Sequence, residues 1–268
     1  MSVQDTALGL IDACVAQVNY PLPAQDALEQ CRLVSHRGEH DNRAVPENSL
    51  AAFDAARRAG VWGIECDIRW TADLVPIICH DSSPHRVFGL KTPLSMLSFS
   101  ELRLAVPQIP TLEEVIAEFS KDCHFMLELK DGYWPEPERQ QAHLADLLSG
   151  LRAGWDYHVL ALQAGLFRYA GFAPTTCYLP VAEFNIRQFS ALAIKRGYAG
   201  VAGHYLLLTR ELHRRHRRRG QKLGSGFPRS RSGLFRELNR GTDWIFTNHA
   251  VALQHERDQA LALFFNEH

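Results

Sequence analysis

Residues 33–81 hold histidines at 36 and 80 that each follow an apolar run, two carboxylates one residue apart, and an arginine beside His36. His36 with Arg37, Glu65 with Asp67, and His80 with Asp81 each close a short apolar run, the position where a β-strand ends. Two imidazoles can divide proton work, one taking a proton from a nucleophile and the other giving one to a leaving alkoxide, because their ordinary pKa lies near neutrality. Converging carboxylates repel one another and are costly to bury, so they require a cation. All-oxygen donors suit Mg²⁺ or Ca²⁺, with Mn²⁺ as an alternative, rather than zinc. Such an ion polarises a phosphoryl oxygen, and the Arg37 guanidinium adds charge for the nonbridging oxygens. The chemistry this set can do is metal-assisted cleavage of a phosphodiester.

Something must bring three strand ends together. Eight short β-rich runs recur through the chain, at 33–36, 63–68, 124–130, 158–162, 175–179, 198–202, 221–226 and 244–247. Helical patterns separate most of them, at 49–59, 111–120, 137–151, 182–196, 209–219 and 233–240. That alternation predicts an α/β (β/α)8 TIM barrel, whose site lies at the C-terminal strand ends. Thr111 and Glu114 have the spacing of a capping box at a helix start. After the second strand, 67–71 and 75–80 flank a turn at Ala72-Asp73 and predict a β-hairpin extension that returns His80 toward Glu65 and Asp67. Period-two alternation puts Glu65 and Asp67 on one strand face, and Glu128 and Lys130 on one face of theirs. Glu128 then joins the metal ligands and Lys130 joins Arg37 as a phosphate binder. Cys66 and Cys79 alternate out of this site and are expected to be small buried hydrophobes.

In this order, His36-Arg37-Gly38, Pro46-Glu47-Asn48-Ser49, Glu65-x-Asp67, His80-Asp81, Arg86, Pro110-Thr111-Leu112-Glu113-Glu114 and Glu128-Leu129-Lys130 resemble the glycerophosphodiester phosphodiesterase family over residues 33–250. The resemblance implies a TIM barrel in which Glu65, Asp67 and Glu128 hold one divalent cation and His36 and His80 are acid and base. It implies phosphate contacts from Arg37 and Lys130, and support from Glu47, Asn48 and Asp81. The implied reaction releases glycerol 3-phosphate and an alcohol, with a cyclic phosphate as a proposed intermediate. Departures begin at Arg86-Val87-Phe88-Gly89 after the second histidine and continue in the second half. There the usual Ser-Phe of the fourth strand has no counterpart at Leu162-Gln163, the seventh-strand motif is replaced by Gly224-Ser225-Gly226-Phe227, and the final Thr-Asp by Thr247-Asn248. The insertion before the Pro-Thr-Leu-Glu-Glu helix is short. These differences leave two alternatives to a small glycerophosphodiester: lysophospholipase-D-like cleavage of a lysophospholipid, and a barrel that binds a phosphoryl ligand without catalysis.

The 268 residues, 46% of them hydrophobic, can bury one large core, and the expected organisation is a helical segment over 1–30 followed by a single barrel domain over 31–268. Leu8, Ile11, Val15 and Val18 fall at helical spacing in that segment. A formal net charge of −1 gives no general attraction to nucleic acid. Six cysteines without a CxxC pair, and no apolar stretch long enough to span a membrane, fit a reduced, cytoplasmic protein. The arginine-rich run 210–219 is expected to be a solvated helix face, with peripheral contact to anionic lipid as the alternative. His204 and Tyr205, after the sixth strand, are further candidates for the pocket mouth.

Overall fold

Residues Leu33–His36 pair in parallel with strands on both sides, the second strand and the last, so the sheet closes on itself. The structure, a computed structural model, describes residues 15–265. After a short helix α1 (Gln25–Glu29), these run β1 (Leu33–His36), α2 (Leu50–Arg58), β2 (Gly63–Trp70), β3 (Pro76–Ile78), α3 (His85–Phe88), α4 (Phe99–Ala105), α5 (Leu112–Phe119) and β4 (His124–Leu129). They continue with α6 (Pro137–Leu147), β5 (Tyr157–Ala161), β6 (Tyr178–Ala182), α7 (Ile186–Arg196) and β7 (Gly200–His204). The remainder is α8 (Arg210–Arg217), β8 (Lys222–Gly226), α9 (Arg231–Arg240), β9 (Trp244–Thr247) and α10 (Ala250–Ala262). Eight parallel strands form a TIM barrel, and β3 is the extra strand, antiparallel to β2 with Ile68 opposite Ile78 and Trp70 opposite Pro76. This is the hairpin expected after the second strand.

Alternation along the strands sorts the core into two. Val34, Met126, Leu160, Leu179, Ala202, Trp244 and Phe246 fill the barrel interior. Their neighbours Ile64, Cys66, Ile68, Phe125, Leu127 and Leu129 face outward and pack beneath the helices, where Phe53, Val115 and Phe119 meet them. The interior is full: a Cβ on Gly224 would come within 2.8 Å of the Phe246 ring and 2.9 Å of Ala202 Cβ. Cys66 and Cys79 are both buried, as expected, in apolar clusters outside the barrel lumen. Ser49 caps α2 by accepting from Ala52 N, and the Thr111–Glu114 capping box starts α5.

Several boundaries differ from the sequence reading. The stretch 175–177 is a 3₁₀ turn, so β6 begins at Tyr178, and α7 starts only at Ile186 because β6 runs to Ala182. Likewise β7 begins at Gly200 rather than at 198. Among the described residues two 3₁₀ turns, Ala164–Tyr169 and Thr175–Cys177, stand between β5 and β6 in place of an α-helix. The final helix α10 was not anticipated. Leu8 and Ile11 of the expected N-terminal helix lie outside the described residues. Farther on, α1 flanks the barrel, burying Leu28, whose carbonyl accepts from Arg257 Nε of α10 at 2.8 Å. No helix among the described residues is long and apolar enough to cross a membrane.

Candidate active site

Glu65 and Asp67 point inward from β2, and Glu128 points inward from β4, where Asp67 stands opposite Glu128 in register. Their carboxylate oxygens lie within 4.8 Å of one another and all three residues are buried. Lys130, just past the end of β4, places Nζ 2.9 Å from Asp67 Oδ1 and 2.5 Å from Glu128 Oε1. Arg37 reaches Asp67 Oδ2 with Nε at 3.3 Å and Glu47 Oε1 with NH1 at 3.0 Å. Asn48 Nδ2 donates to Asp67 Oδ2 at 2.7 Å. Arg37 and Asn48 both hold left-handed backbone conformations, with φ of 59° and 58°. For non-glycine residues this costs on the order of 1 kcal/mol or more, and such strain is characteristic of functional positions. The turn is fixed on its other side by Gly38 (φ 79°), where a Cβ would strike Ala52 at 2.6 Å.

Positive charge from Lys130 and Arg37 does not balance the cluster. Burial, with the charges of Asp67 and Glu128, pushes the Glu65 carboxyl well above its ordinary range. Burial and Asp67 also push Glu128 up to about 7, against the pull of Lys130. Asp67 goes the other way: burial would raise it, but Lys130 and Arg37 hold it below the usual carboxylate range. Glu65 Oε1 is buried without a hydrogen-bond donor among the described residues. An unsatisfied carboxylate oxygen beside two more carboxylates fits a hard divalent cation. Glu65, Asp67 and Glu128 are the residues that would hold it.

The two histidines are held alike. His36 Nδ1 lies 2.6 Å from Asn248 Oδ1, and since that oxygen only accepts, Nδ1 carries the proton and Nε2 faces Glu65 Oε2 at 3.8 Å. The edge of Phe227 packs on the His36 ring at 4.8 Å. His80 Nδ1 donates to Asp81 Oδ1 at 2.8 Å, and Asp81 Oδ2 accepts from Arg86 Nε at 2.7 Å. Each imidazole therefore keeps Nε2 for chemistry. Burial, then Arg37, pushes His36 down to about 3, so its Nε2 rests as a free base, and burial lowers His80 as well, against the opposing pull of Asp67 and the hydrogen bond to Asp81.

His36, Arg37, Glu65, Asp67, His80, Glu128 and Lys130 lie together here with Glu47, Asn48 and Asp81, whereas Tyr205 is buried beneath Arg236. Glu47 is the hub of a supporting network: Arg86 grips it with two nitrogens at 2.6 and 2.8 Å, and Asn42 and Arg37 add one donor each. Burial would raise the Glu47 carboxyl, but these donors, Arg86 foremost, bring it down to about 2. The sequence reading matched Arg86 to the family pattern and singled out Asn248 only as a departure, assigning neither a role. Arg86 braces both Glu47 and Asp81, while Asn248 lies 212 residues from the ring it anchors. The strands of the barrel's first half, β1, β2 and β4, hold the candidate catalytic residues, and Phe227 and Asn248, just past the ends of β8 and β9, stand beside them. Next to Lys130 a cavity of about 320 Å³ opens between Arg69, Trp70, Leu94 and Tyr133.

Comparison with known proteins agrees with this geometry. Residues 36–156 match the model of the glycerophosphoryl diester phosphodiesterase family. Glycerophosphodiester phosphodiesterase 1 of Bos taurus is 33% identical over 118 residues, which are 37% of this chain and 35% of that protein. A glycerophosphodiester phosphodiesterase of Caldanaerobacter subterraneus is 31% identical over 112 residues, 37% of this chain and 45% of its own length. The matched segment therefore spans about a third to a half of these relatives. Among solved structures, an Oleispira antarctica phosphodiesterase in complex with the product sn-glycerol-3-phosphate superposes with a TM-score of 0.72, at 20% identity over 87% of this chain and 99% of that one. The Thermotoga maritima glycerophosphodiester phosphodiesterase gives 0.70 at 21% identity, over 83% of this chain and 96% of that one. At such identities these structures share the fold.

Proposed function

We propose, from the match of residues 36–156 to the glycerophosphoryl diester phosphodiesterase family model, that the protein belongs to this family and is a divalent-metal-dependent hydrolase of glycerophosphodiesters. The observation that carries the reading is the buried trio Glu65, Asp67 and Glu128, short of positive charge, with two Nδ1-anchored histidines beside it. One Mg²⁺ or Ca²⁺, or Mn²⁺ in their place, would polarise the phosphoryl group and offset the charge that develops on it.

The protein's own groups do the rest. Arg37 and Lys130 bind nonbridging oxygens and fix the phosphorus between the histidines. The Nε2 of one histidine takes the proton of the attacking hydroxyl as the P–O bond to the leaving alkoxide breaks, and the other histidine, entering as the imidazolium, gives its Nε2 proton to that alkoxide. Where the attacking hydroxyl is the glycerol's own, water then opens the cyclic phosphate with the two roles reversed. Asn248 and Asp81 keep the rings in the tautomer this requires and orient them. The products are glycerol 3-phosphate and an alcohol.

A second reading, cleavage of a lysophospholipid, is favoured by Phe184 and Leu206. They are 78% and 42% exposed in the loops that follow β6 and β7 on the site's side of the barrel. There an acyl chain or a lipid surface would cover them. Hydrolysis of a panel of glycerophosphodiesters and lysophospholipids, followed by release of glycerol 3-phosphate, separates the readings. Turnover of water-soluble diesters supports the first, turnover confined to lysophospholipids supports the second, and no release from any diester with any of the three metals leaves only a phosphoryl-binding barrel.

A further inference from the structure

At the end of the barrel opposite the carboxylates, a cavity of about 470 Å³ opens between the N-terminal ends of β5, β7, β8 and β9. Its wall includes His158 and Trp244, which are 3% and 0% exposed, and its rim carries Lys222 and Arg219. A chain of rings crosses the base of the barrel here: Trp62 stacks on His124, His124 meets His158, and His158 stands edge-on to Trp244.

The hydrogen bonds fix the protons along this chain. His124 Nδ1 lies 2.8 Å from the Trp155 carbonyl oxygen, which can only accept, so Nδ1 carries the proton. His124 Nε2 is then a lone pair, and it accepts from His158 Nδ1–H at 2.8 Å. His158 Nε2 is left as a second lone pair with no protein donor among the described residues. Burial pushes both rings far below their ordinary pKa, to about 4 for His124 and about 3 for His158, in keeping with two neutral imidazoles. The Trp244 Nε1–H is buried and has no acceptor among the described residues. The unmet His158 Nε2 thus belongs to a residue that lines the cavity.

The local charge is positive. Lys222 lies over the Trp244 ring at 5.0 Å, and Arg32 lies over Trp62 at 5.3 Å. Arg219 spends one nitrogen on the Arg215 carbonyl. Of the nearby carboxylates, Asp156 is paired with Arg152, and Asp243 accepts from the Leu223 amide at 2.9 Å and keeps its charge, which offsets part of that of Lys222. Burying polar groups without partners costs free energy, and a cavity of this size matches a small ligand rather than a packing gap.

We infer that this basal cavity binds a small hydroxylated anion, a phosphate monoester or carboxylate whose charged end meets Lys222 and Arg219 and whose hydroxyl donates to His158 Nε2. The catalytic trio takes no part in it. Calorimetric titration with ribose 5-phosphate, gluconate and ethyl phosphate tests the inference on the full chain, alongside Lys222→Gln/Arg219→Gln and, as an active-site control, Arg37→Ala. The expected result is saturable binding of a hydroxylated probe, kept in Arg37→Ala and weakened about tenfold or more in the double variant, a loss of about 1.4 kcal/mol. Preference for ribose 5-phosphate over gluconate identifies phosphate as the anion, the reverse identifies carboxylate, and ethyl phosphate should bind more weakly than either preferred probe. Binding lost in Arg37→Ala, binding unchanged in the double variant, or no saturation at millimolar probe overturns it. If the double variant does not fold, the ¹⁵N resonance of His158 Nε2 in the wild type decides: it must move on adding the probe, and a static resonance overturns the inference.

Discussion

If Glu65, Asp67 and Glu128 hold a cation, the stabilisation that the cation confers must grow with pH in a calculable way. The perturbation is the addition of saturating Ca²⁺ or Mg²⁺ to metal-free protein at pH 5 and at pH 7. Glu128 titrates at about 7 in the folded, metal-free protein against an ordinary 4.5. Its folded pKa is raised, so it favours folding below pH 4.5, and that contribution is lost as the pH rises toward 7. A bound cation needs the carboxylate charged. At pH 5 it must therefore displace a proton held about 2 units too tightly, and at about 1.36 kcal/mol per unit this costs about 3 kcal/mol that is no longer owed near pH 7. Glu65 is shifted in the same direction and enlarges the effect. For a chain of this size about 3 kcal/mol corresponds to roughly 6–12 °C in Tm. The assay is differential scanning calorimetry with and without metal at each pH. The histidines that titrate in the same interval contribute to both arms and largely cancel in the difference. A metal-induced shift that is the same at pH 5 and pH 7, or absent at both, would refute the reasoning, and Glu128→Gln should flatten the pH dependence.

Replacing Asn248 with Leu frees His36 Nδ1, and loss of such an anchor should lower kcat about 10- to 100-fold with little change in KM; steady-state kinetics on a soluble diester checks this, and an unchanged kcat would show that Phe227 alone positions the ring. His158 sits at about 3 in the folded protein against 6.5 free, so its contribution is complete above pH 6.5 and falls away as the pH drops toward 3. At pH 5 the cost is about 2 kcal/mol, so the stability of the wild type relative to His158→Gln, from denaturant titrations, should decline by that amount between pH 7 and pH 5; parallel curves would contradict it. On α8, Leu212, His213 and His216 are buried while Arg214, Arg215 and Arg218 face solvent. Changing those three arginines to Ser should leave vesicle sedimentation unaltered if the face is merely solvated, and a loss of binding to anionic vesicles would establish a lipid contact.

Much of the site could be read from the chain because its residues sit at strand ends within short, contiguous motifs. Glu65-x-Asp67 and Glu128-x-Lys130 announce one face of a strand by spacing alone, and the hairpin that returns His80 is written in its turn residues. Asn248 could not be found this way. Its partner lies 212 residues earlier, and only closure of β9 onto β1 brings the two together. Arg86 was matched without a role because its task is to brace Glu47 and Asp81 rather than to meet a ligand, and nothing in local spacing distinguishes that. The limits of β6 and β7 were misplaced because Thr175, Thr176 and Cys177 have strand-like side chains, although the backbone there turns. In α10 just three residues are buried, Ala250, Leu253 and Ala260, which is too sparse a stripe to declare a helix. The basal ring chain was hidden for the opposite reason: His124 opens β4 and His158 is the second residue of β5, where a histidine reads as a strand boundary rather than as half of a pair.

The central claim is that this carboxylate cluster and the two histidines cut a phosphodiester together. Release of glycerol 3-phosphate from glycerophosphocholine, measured after chelation and again after Mg²⁺, Ca²⁺ or Mn²⁺ is restored, tests it most directly in the wild type, His36→Ala and His80→Ala. The account predicts loss of activity with chelator, recovery with at least one of the three metals, and a fall of about 10²- to 10⁴-fold in each histidine variant. Full activity in chelator, or in either histidine variant, would contradict it.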